Sequence, residues 1–249
     1  MSDNIKTLGV IGGLGPIATA HFMELVIHMT DAELDQQHLP MIVYNMPTIP
    51  DRTAYILDHT RENPLPKMLE IGRELSEKDV ACIAIPCITA HFFLDELKAS
   101  IPAPLVDGVA ATARHLKENG IRKVGIMATD GTVASGIFHR ELLAHGLEPI
   151  VPGEEAQKHV MHLIFENVKA GKPAEMDRFF AAAEDLRNQG AEAIILGCTE
   201  LSLIKRDEKI GAGFLDAMEV LAKESVLACG KPVKPEYDCL ITRPVIANQ

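Results

Sequence analysis

Two cysteines stand in matching positions in the two halves of the sequence. Cys87 follows the apolar run 80–85 after one proline, and Cys198 follows the apolar run 193–196 after one glycine. Apolar runs of this length predict buried strands, and the residues behind each cysteine predict a helix, so each thiol should lie in a strand-to-helix turn. Two thiols in equivalent turns indicate acid–base chemistry on one carbon atom, in which one sulfur takes a proton while the other gives one.

Acid–base chemistry of this kind requires one of the two sulfurs to be a thiolate. A free cysteine has a pKa of about 8.5, so its surroundings must favour the charged form at neutral pH. The unpaired N–H groups at the start of a helix do so, and both cysteines are predicted to lie there. The alternative interpretation is that Cys87 and Cys198 are unrelated thiols that happen to end two strands.

The three remaining cysteines show no pattern that indicates a function. Five cysteines at irregular spacing, with no CxxC pair, argue against a disulfide framework and against a zinc site. Cys82 lies inside an apolar run and is predicted to be a core thiol, while Cys229 and Cys239 are expected to be structural. No metal is expected.

Strand-like and helix-like segments alternate along the chain. Strands are predicted at 7–11, 41–44, 80–85, 124–127 and 193–196. Helices are predicted at 17–30, 66–76, 90–99, 110–117, 137–144, 155–169, 176–189 and 215–229. This alternation predicts the α/β class, with parallel sheets that are covered by helices on both faces.

The two halves of the chain resemble each other. Residues 8–12 match residues 124–128 in type and position, and the two cysteine strands match as well. We therefore predict two pseudo-symmetric lobes, each a parallel sheet covered by helices. The first lobe is assigned residues 1–106 plus 212–249, and the second lobe is assigned residues 107–211. Ligands of such sheets bind beyond the carboxyl ends of the strands, so the active site is expected in the cleft between the lobes.

The glycine-rich turn at residues 12–16 lacks the spacing of a dinucleotide-binding fingerprint. Its sequence, GGLGP, departs from GxGxxG, and Pro16 would crowd a pyrophosphate. The second predicted strand is followed by residues 45–47, and none of them is the acidic residue that would bind a ribose. Close packing at a tight turn is the simpler interpretation, and no cofactor is expected.

Composition and charge narrow the class of function further. The 249 residues are 47% hydrophobic and 24% charged, which is typical of a globular chain that can bury a core. The formal net charge of −11 argues against a nucleic-acid or membrane-surface binder, and an anionic ligand would need cations placed locally. No apolar run approaches the roughly 20 residues that span a bilayer, and the first residues lack signal-peptide features, so a cytoplasmic location is expected.

Five short motifs, taken in order, resemble those of the cofactor-independent aspartate/glutamate racemase family. They are GGLGP at 12–16, NMP and IPDRT within 45–53, PCITAH at 86–91, AT, GT and SG within 128–136, and GCTE at 197–200. The resemblance covers nearly the whole chain, and the order of the motifs makes it specific. It is greatest to aspartate racemases, because glutamate racemases usually carry an aspartate–serine pair in the first glycine turn and this chain does not.

The resemblance implies a fold, a reaction and an assembly. It implies two pseudo-symmetric α/β lobes and racemisation of a small-molecule substrate, aspartate or glutamate, by two cysteines without pyridoxal phosphate or metal. Family members are commonly homodimers, so a homodimer is expected. By the same resemblance Cys87 and Cys198 are the acid/base pair, and the residues that contact substrate are Arg52, Ile88, Thr89, Thr132, Lys169 and Thr199.

The resemblance also implies a role for each side chain. Arg52 is implied to grip the side-chain carboxylate, for which a planar guanidinium is well suited. Lys169 resembles a second cationic contact, although an ordinary cation in the last turn of a helix has the same pattern. The three threonines are implied to bind a substrate carboxylate, although each alone is equally well explained as a helix cap. His91 is expected to be structural, and Glu200 is expected to orient the second cysteine turn.

One residue departs from the family pattern. The family usually has proline-cysteine-asparagine-threonine, and here Ile88 replaces the asparagine. An amide contact to substrate is lost, and such a contact is worth about 0.5–1.5 kcal/mol. Two other functions therefore stay open: a decarboxylase or isomerase of small carboxylic acids that uses one cysteine, or a non-catalytic amino-acid-binding module. The pair of cysteines argues against both.

Overall fold

The computed structural model describes residues 6–243, in which strands and helices alternate. The seven strands of this part of the chain are β1 (Leu8–Gly12), β2 (Met41–Asn45), β3 (Cys82–Ala84), β4 (Lys123–Met127), β5 (Glu148–Ile150), β6 (Ala193–Leu196) and β7 (Phe214–Asp216). Its eleven α-helices are α1 (Pro16–Met29), α2 (Arg52–Leu57), α3 (Leu65–Glu77), α4 (Leu94–Ser100), α5 (Gly108–Glu118), α6 (Asp130–Ser135), α7 (Ile137–Ala144), α8 (Glu154–His162), α9 (Met176–Asn188), α10 (Thr199–Asp207) and α11 (Ala217–Ala228). These strands pair in parallel in two sheets, so the predicted α/β fold is confirmed.

The first sheet has the strand order β2-β1-β3. β1 lies at its centre and pairs in parallel with both neighbours. The segment 104–106 continues the sheet beyond β3, because the Ile83 N–H donates to the Pro104 carbonyl (2.8 Å) and the Val106 N–H donates to the Ile83 carbonyl (2.9 Å). The first lobe therefore has four chain segments side by side.

The second sheet repeats this arrangement with the order β5-β4-β6-β7. β4 corresponds to β1, β5 to β2, β6 to β3, and β7 to the segment 104–106. Each of these fourth segments leads into a helix, α5 in the first case and α11 in the second, and the two helices pack against each other. The two lobes therefore have the same topology, which is the predicted pseudo-symmetry.

Two strands, β5 and β7, are not predicted by the sequence pattern, and β7 changes the division of the chain. It pairs with β6 in the second sheet, although the predicted division assigns residues from 212 onward to the first lobe. The strand has three residues and α11 follows it directly, so its apolar residues have the same pattern as the start of a helix. α11 itself packs against α1 and β3 of the first lobe. The remaining lobe boundaries stay a prediction.

Three further segments differ from their predicted conformation. A 3₁₀-helix at Ile88–Phe93 precedes α4, where one helix at 90–99 is predicted. Five of its six side chains are buried, so tertiary contacts rather than helix propensity set its conformation. The predicted helix at 155–169 ends in a π-helical turn at Leu163–Val168. The short helix α2, which Arg52 begins, is absent from the predicted helices.

A shared apolar core joins the two lobes. Val10 of β1, Ile126 of β4 and Leu221 of α11 belong to one cluster of buried side chains. Two other clusters lie on the remaining faces of the sheets, one in each lobe. Close packing of the shared core holds the carboxyl ends of the two sheets in a defined relative position. Within residues 6–243, no helix is both long and apolar enough to cross a bilayer.

Two glycines allow backbone segments to approach closely at the strand ends. Gly13 has a φ of +91°, and a Cβ atom there would lie 2.3 Å from the Met46 backbone nitrogen. Packing therefore explains the glycine turn at residues 12–16. Gly131 permits a contact between the lobes, since a Cβ atom on it would lie 2.9 Å from the Thr53 Cα atom.

Candidate active site

A small space, which we call the inner cavity, lies where residues from several strand ends converge. Its volume is about 10 Å³, close to the minimum for one water molecule. Its lining residues are Leu14, Asp51, Arg52, Thr53, Cys87, Ile88, Thr89, Thr129, Lys169, Cys198, Thr199 and Glu200. Both cysteines therefore line one cavity from opposite lobes. Seven of the eight residues that the sequence assigns to the site line it, and Thr132 is the exception.

The Cys87 turn is formed by close backbone contacts. Cys87 is buried, and its N–H donates to the Ile85 carbonyl across a tight turn (2.7 Å). Its own carbonyl accepts from the Ala90 N–H (3.0 Å), which starts the 3₁₀-helix. The α-helix N-terminus expected at this cysteine is therefore replaced by a short 3₁₀-helix. A short helix carries a small dipole, so this turn stabilises a negative charge less than the expected α-helix would.

His91 fixes the Cys87 turn to the start of α5. The Gly108 N–H donates to His91 Nε2 (3.2 Å), so Nδ1 carries the proton and donates to the Cys87 carbonyl (3.2 Å). Burial lowers the pKa of His91, and the neighbouring Asp107 only opposes that shift. The ring is therefore neutral and structural.

The neutral state of His91 predicts a pH dependence of folding. A histidine whose pKa is lowered by folding stabilises the protein above the unfolded pKa of about 6.5, and this contribution is lost as the pH falls below it. We expect the free energy of unfolding to fall between about pH 7 and about pH 5, and to fall about 1 kcal/mol less in His91→Gln. Urea unfolding at both pH values measures this, with His28→Gln as an exposed control. Equal pH slopes for the wild type and His91→Gln would contradict the assignment.

Cys198 lies at the N-terminus of α10, where the sequence predicts it. Its buried thiol donates to Glu200 Oε2 (2.8 Å), and the Thr199 hydroxyl donates to the same oxygen (3.3 Å). Burial and the Glu200 carboxylate raise the pKa of Cys198 well above its ordinary value, and Lys169 offsets them only in part. Cys198 is therefore held as a thiol.

Arg52 is buried near the other thiol. Arg52 begins α2, and Asp51 is the N-cap of that helix: its carboxylate accepts from the Ala54 N–H (2.7 Å). Burial acts to lower the pKa of Arg52, but Cys87 and Asp51 outweigh it and raise the pKa. Arg52 is only 7% exposed, and its Nε–H has no hydrogen-bond partner among the described residues. Its Nη groups donate at 2.9–3.2 Å to the carbonyls of Leu14, Ile49 and Pro50.

Four buried threonine hydroxyls form one hydrogen-bonded cluster where the lobes meet. Thr53 donates to Thr129 (3.1 Å), and Thr89 pairs with Thr129 (3.3 Å) and with Thr132 (2.9 Å). Thr129 caps α6 by accepting from the Thr132 N–H (3.2 Å). Thr53, Thr89 and Thr129 line the inner cavity, whereas Thr132 contacts it only through this cluster. Hydroxyls that bond mainly to one another can rotate to donate to an anion.

Lys169 reaches the inner cavity from the second lobe. It follows the π-helical turn at Leu163–Val168, a distortion that is frequent at functional sites. Its Nζ atom lies 3.8 Å from Asp51 Oδ2, 4.0 Å from Glu200 Oε1 and 4.4 Å from the centre of the Phe165 ring. The cation therefore lies where the two lobes meet at the cavity, and its role as a substrate contact stays a prediction.

Ile88 lines the inner cavity and is packed into the shared apolar core at the same time. Its side chain is 1% exposed. Position 88 therefore borders both the cavity and the core, and a polar side chain there has to find its hydrogen-bond partner in the cavity.

A larger space, which we call the outer chamber, adjoins the inner cavity. Its volume is about 440 Å³, and it shares Asp51, Arg52, Lys169 and Glu200 with the inner cavity. The inner cavity must widen to hold an amino acid, because its present volume is far too small for one. The rest of the chamber wall consists of Gly13, Gly15, Pro16, Ile17, Ala18, Pro47, Ile49, Val168 and Leu203.

Several lining residues are not singled out by sequence patterns. Thr53 and Thr129 stand within the five motifs, so a signal is present, but only the fold brings their hydroxyls together. Leu14 contributes a backbone carbonyl to Arg52, a contact that leaves no sequence pattern. Glu200, expected only to orient a turn, also accepts the hydrogen bond of the Cys198 thiol.

The groups around the inner cavity suit a small anion. Arg52, Lys169 and the threonine hydroxyls can all donate hydrogen bonds, and Arg52 and Lys169 also carry a positive charge. Within residues 6–243, no three His, Cys, Asp or Glu side chains are grouped so that they could hold a metal ion. The donor set therefore fits a carboxylate better than a metal.

Comparison with known proteins gives a consistent set of relatives. Residues 11–225 match the family described as Asp/Glu/Hydantoin racemase. An aspartate racemase structure from Picrophilus torridus is 30% identical with a TM-score of 0.78, and the match covers 94% of this chain and 99% of that one. A glutamate racemase structure from Francisella tularensis, in complex with D-glutamate, has the same fold at 18% identity and a TM-score of 0.60, covering 96% and 84%. The broad specificity amino-acid racemase RacX of Bacillus subtilis is 24% identical over 223 residues, covering 88% and 96%.

Proposed function

The chain belongs to the Asp/Glu/hydantoin racemase family, and we propose that it racemises aspartate or glutamate without a cofactor, using Cys87 and Cys198 as two bases. Membership of the family makes it an isomerase of the amino-acid racemase class. The observation that carries the finer proposal is that both thiols line one cavity from opposite lobes. The 30% identity to an aspartate racemase supports an acidic substrate.

Racemisation requires a proton to leave one face of the α-carbon and another to arrive at the opposite face. One base cannot easily reach both faces of a bound amino acid, whereas two thiols from opposite lobes can. In each turnover a thiolate takes the α-proton and becomes a thiol, while the other thiol gives its proton and becomes a thiolate. The two sulfurs thereby exchange roles, and the reverse path converts the other enantiomer.

The charges near the two sulfurs support different protonation states before substrate binds. Arg52 lies near Cys87, where a cation favours a thiolate. Glu200 accepts the hydrogen bond of the Cys198 thiol and, together with burial, raises the pKa of Cys198. A two-base reaction needs one thiolate and one thiol at the start, and the thiol is assigned to Cys198 in this proposal. When Cys198 becomes the thiolate, Lys169 offsets its repulsion from Glu200.

Hydroxyls and cations divide the binding of substrate in this proposal. The hydroxyls of Thr89, Thr129 and Thr53 suit the α-carboxylate, because each can rotate to donate to it. Arg52 Nε and Lys169 Nζ suit the side-chain carboxylate. The buried Nε–H is the stronger argument, since an unpaired buried donor costs about 1–3 kcal/mol, which a bound carboxylate would offset.

The two alternatives left open by the sequence have weaker support. A decarboxylase or isomerase that uses one cysteine needs one reactive thiol, whereas two line this cavity. A binding module without catalysis has no need of a charged group beside each thiol, as Arg52 and Glu200 are here. A cytoplasmic location and a homodimeric state stay predictions.

Ile88→Asn tests how position 88 affects catalysis. The amide adds a hydrogen-bonding group at the cavity, but it also enters the apolar core, where an unsatisfied amide costs about 1–3 kcal/mol. We expect kcat/KM for aspartate or glutamate to rise about tenfold and the free energy of unfolding to fall. Initial rates and urea unfolding measure the two effects, with Ile88→Leu as an apolar control. A fall in kcat/KM for both acids would show that the isoleucine is suited to another substrate.

A screen of amino acids for α-proton exchange in heavy water, without added cofactor, tests the proposed function. We expect exchange and loss of optical activity with aspartate or glutamate, and no dependence on added pyridoxal phosphate or chelator. A cooperative urea-unfolding transition serves as the check that the protein is folded. Folded protein that shows no exchange on any amino acid would refute the proposal.

A further inference from the structure

The outer chamber adjoins the inner cavity through four shared residues. Asp51, Arg52, Lys169 and Glu200 form the border between the two spaces. Thr53, Thr89 and Thr129 line the inner cavity and do not line the outer chamber. A substrate whose carboxylate contacts the hydroxyls and whose α-carbon lies between the thiols therefore directs its side chain toward this border.

The charges at the border balance one another. It has two carboxylates and two cations, and Lys169 Nζ lies within 4.0 Å of both carboxylates, those of Asp51 and Glu200. Arg52 already donates to three backbone carbonyls. The border therefore offers the Arg52 Nε–H to an acid but presents no large net positive charge that would exclude a neutral side chain.

Beyond the border, the chamber wall is apolar. Ile49 and Leu203 are buried in it, at 4% and 6% exposure, and Val168 and Pro47 stand beside them. Ile17, at 60% exposure, forms the outer part of the wall on the first turn of α1. A substrate side chain made of methylene groups would leave water and contact these apolar side chains. The binding free energy would become more favourable with each methylene group that is buried.

We propose that the outer chamber is a side-chain subsite for α-amino acids with long, unbranched, uncharged side chains, of which norleucine and methionine are examples. This inference rests on the proposed racemisation at the two thiols and extends its substrate class beyond the two acids. Aspartate uses the Arg52 Nε–H at the border, whereas the longer side chains pass the border and bind the apolar wall.

A series of increasing side-chain length tests the subsite. We would measure α-proton exchange in heavy water for 2-aminobutyrate, norvaline and norleucine, with aspartate as the reference. kcat/KM is expected to rise about fourfold for each added methylene, since a buried methylene is worth about 0.8 kcal/mol. Ile17→Trp narrows the chamber, so we expect it to lower the norleucine-to-aspartate ratio of kcat/KM about tenfold.

The control variant is Ile27→Trp on the same helix. Ile27 is also exposed (42%) but lies outside the outer chamber, so the same change there should leave the ratio unaltered. Exchange on aspartate without a rise along the series, or an equal effect of both tryptophans on the ratio, would overturn the subsite alone. Absence of exchange on every amino acid, in protein that still unfolds cooperatively in urea, would overturn the subsite together with the proposed racemisation.

Discussion

Cys87→Ser and Cys198→Ser are each expected to lower racemisation of aspartate or glutamate about 1,000-fold or more. A serine hydroxyl has nearly the size of a thiol but ionises far less readily, so it can neither take the α-proton nor return one efficiently. Arg52 near Cys87 and Glu200 at Cys198 leave the two sites with different charges, yet each turnover uses both sulfurs. The double variant should therefore be little slower than either single variant.

The cysteine variants are assayed by initial rates from each enantiomer, with Cys239→Ser as the control. Cys239 is a free cysteine outside the inner cavity, so its replacement should leave the rates unchanged. A single variant at Cys87 or Cys198 that kept more than about one tenth of the rate would contradict the two-base assignment. A multiplicative loss in the double variant would contradict the coupled action of the sulfurs.

Arg52→Leu is expected to lower kcat/KM for aspartate and glutamate about 100-fold. A charged hydrogen bond is worth about 1.5–3 kcal/mol, and the variant removes the buried Nε–H together with the cation near Cys87. It also deprives three backbone carbonyls of a donor, so the free energy of unfolding should fall. Both effects follow from the burial of Arg52, which is 7% exposed.

Two controls separate loss of binding from loss of folding in Arg52→Leu. Arg114→Leu removes the same charge from an exposed pair with Glu224 and should leave the kinetics unchanged. Arg52→Lys keeps the charge but loses the planar fork, so its kcat/KM should fall between those of Arg52→Leu and the wild type. Urea unfolding of each variant reports whether it is folded. Unchanged kinetics of Arg52→Leu on both acids would refute the role of Arg52.

The two cysteine turns could be predicted because each is a local feature of the sequence. An apolar run, a break and a polar restart mark strand, turn and helix within about a dozen residues. Because β3 and β6 hold the same place in two sheets of equal topology, their carboxyl ends bring Cys87 and Cys198 to one cavity. The family resemblance added Arg52 and Lys169, which line that cavity although they are distant in the sequence.

The threonine cluster could not be predicted in this way, because it depends on how the lobes meet. Thr53 and Thr129 are 76 residues apart, and their hydroxyls pair because Gly131 lets α6 approach the Thr53 backbone. The carbonyl partners of Arg52 could not be predicted either, because backbone oxygens leave no pattern in a sequence. Contacts between lobes follow from tertiary packing and not from periodicity.

Short segments were the other limit of prediction. The strand β7 has three residues, and the 3₁₀-helix Ile88–Phe93 is buried on almost every side, so neither shows a period that sequence reasoning can use. The second case matters for the site, because Ile88 and Thr89 both lie on that helix and line the inner cavity. Their orientation is set by the core around them rather than by local propensity.

The most direct test of the two-base proposal is the fate of deuterium in the first turnovers in heavy water. One enantiomer of aspartate is supplied, and both enantiomers are recovered and analysed for label at the α-carbon. If Cys87 and Cys198 act from opposite faces, every molecule of the product enantiomer should carry deuterium at the α-carbon, because that deuterium comes from a thiol that has exchanged with solvent. The remaining substrate should stay unlabelled. Product that retains the original proton, or substrate that gains deuterium as fast as product forms, would show that a single base works on both faces and would contradict the two-base proposal.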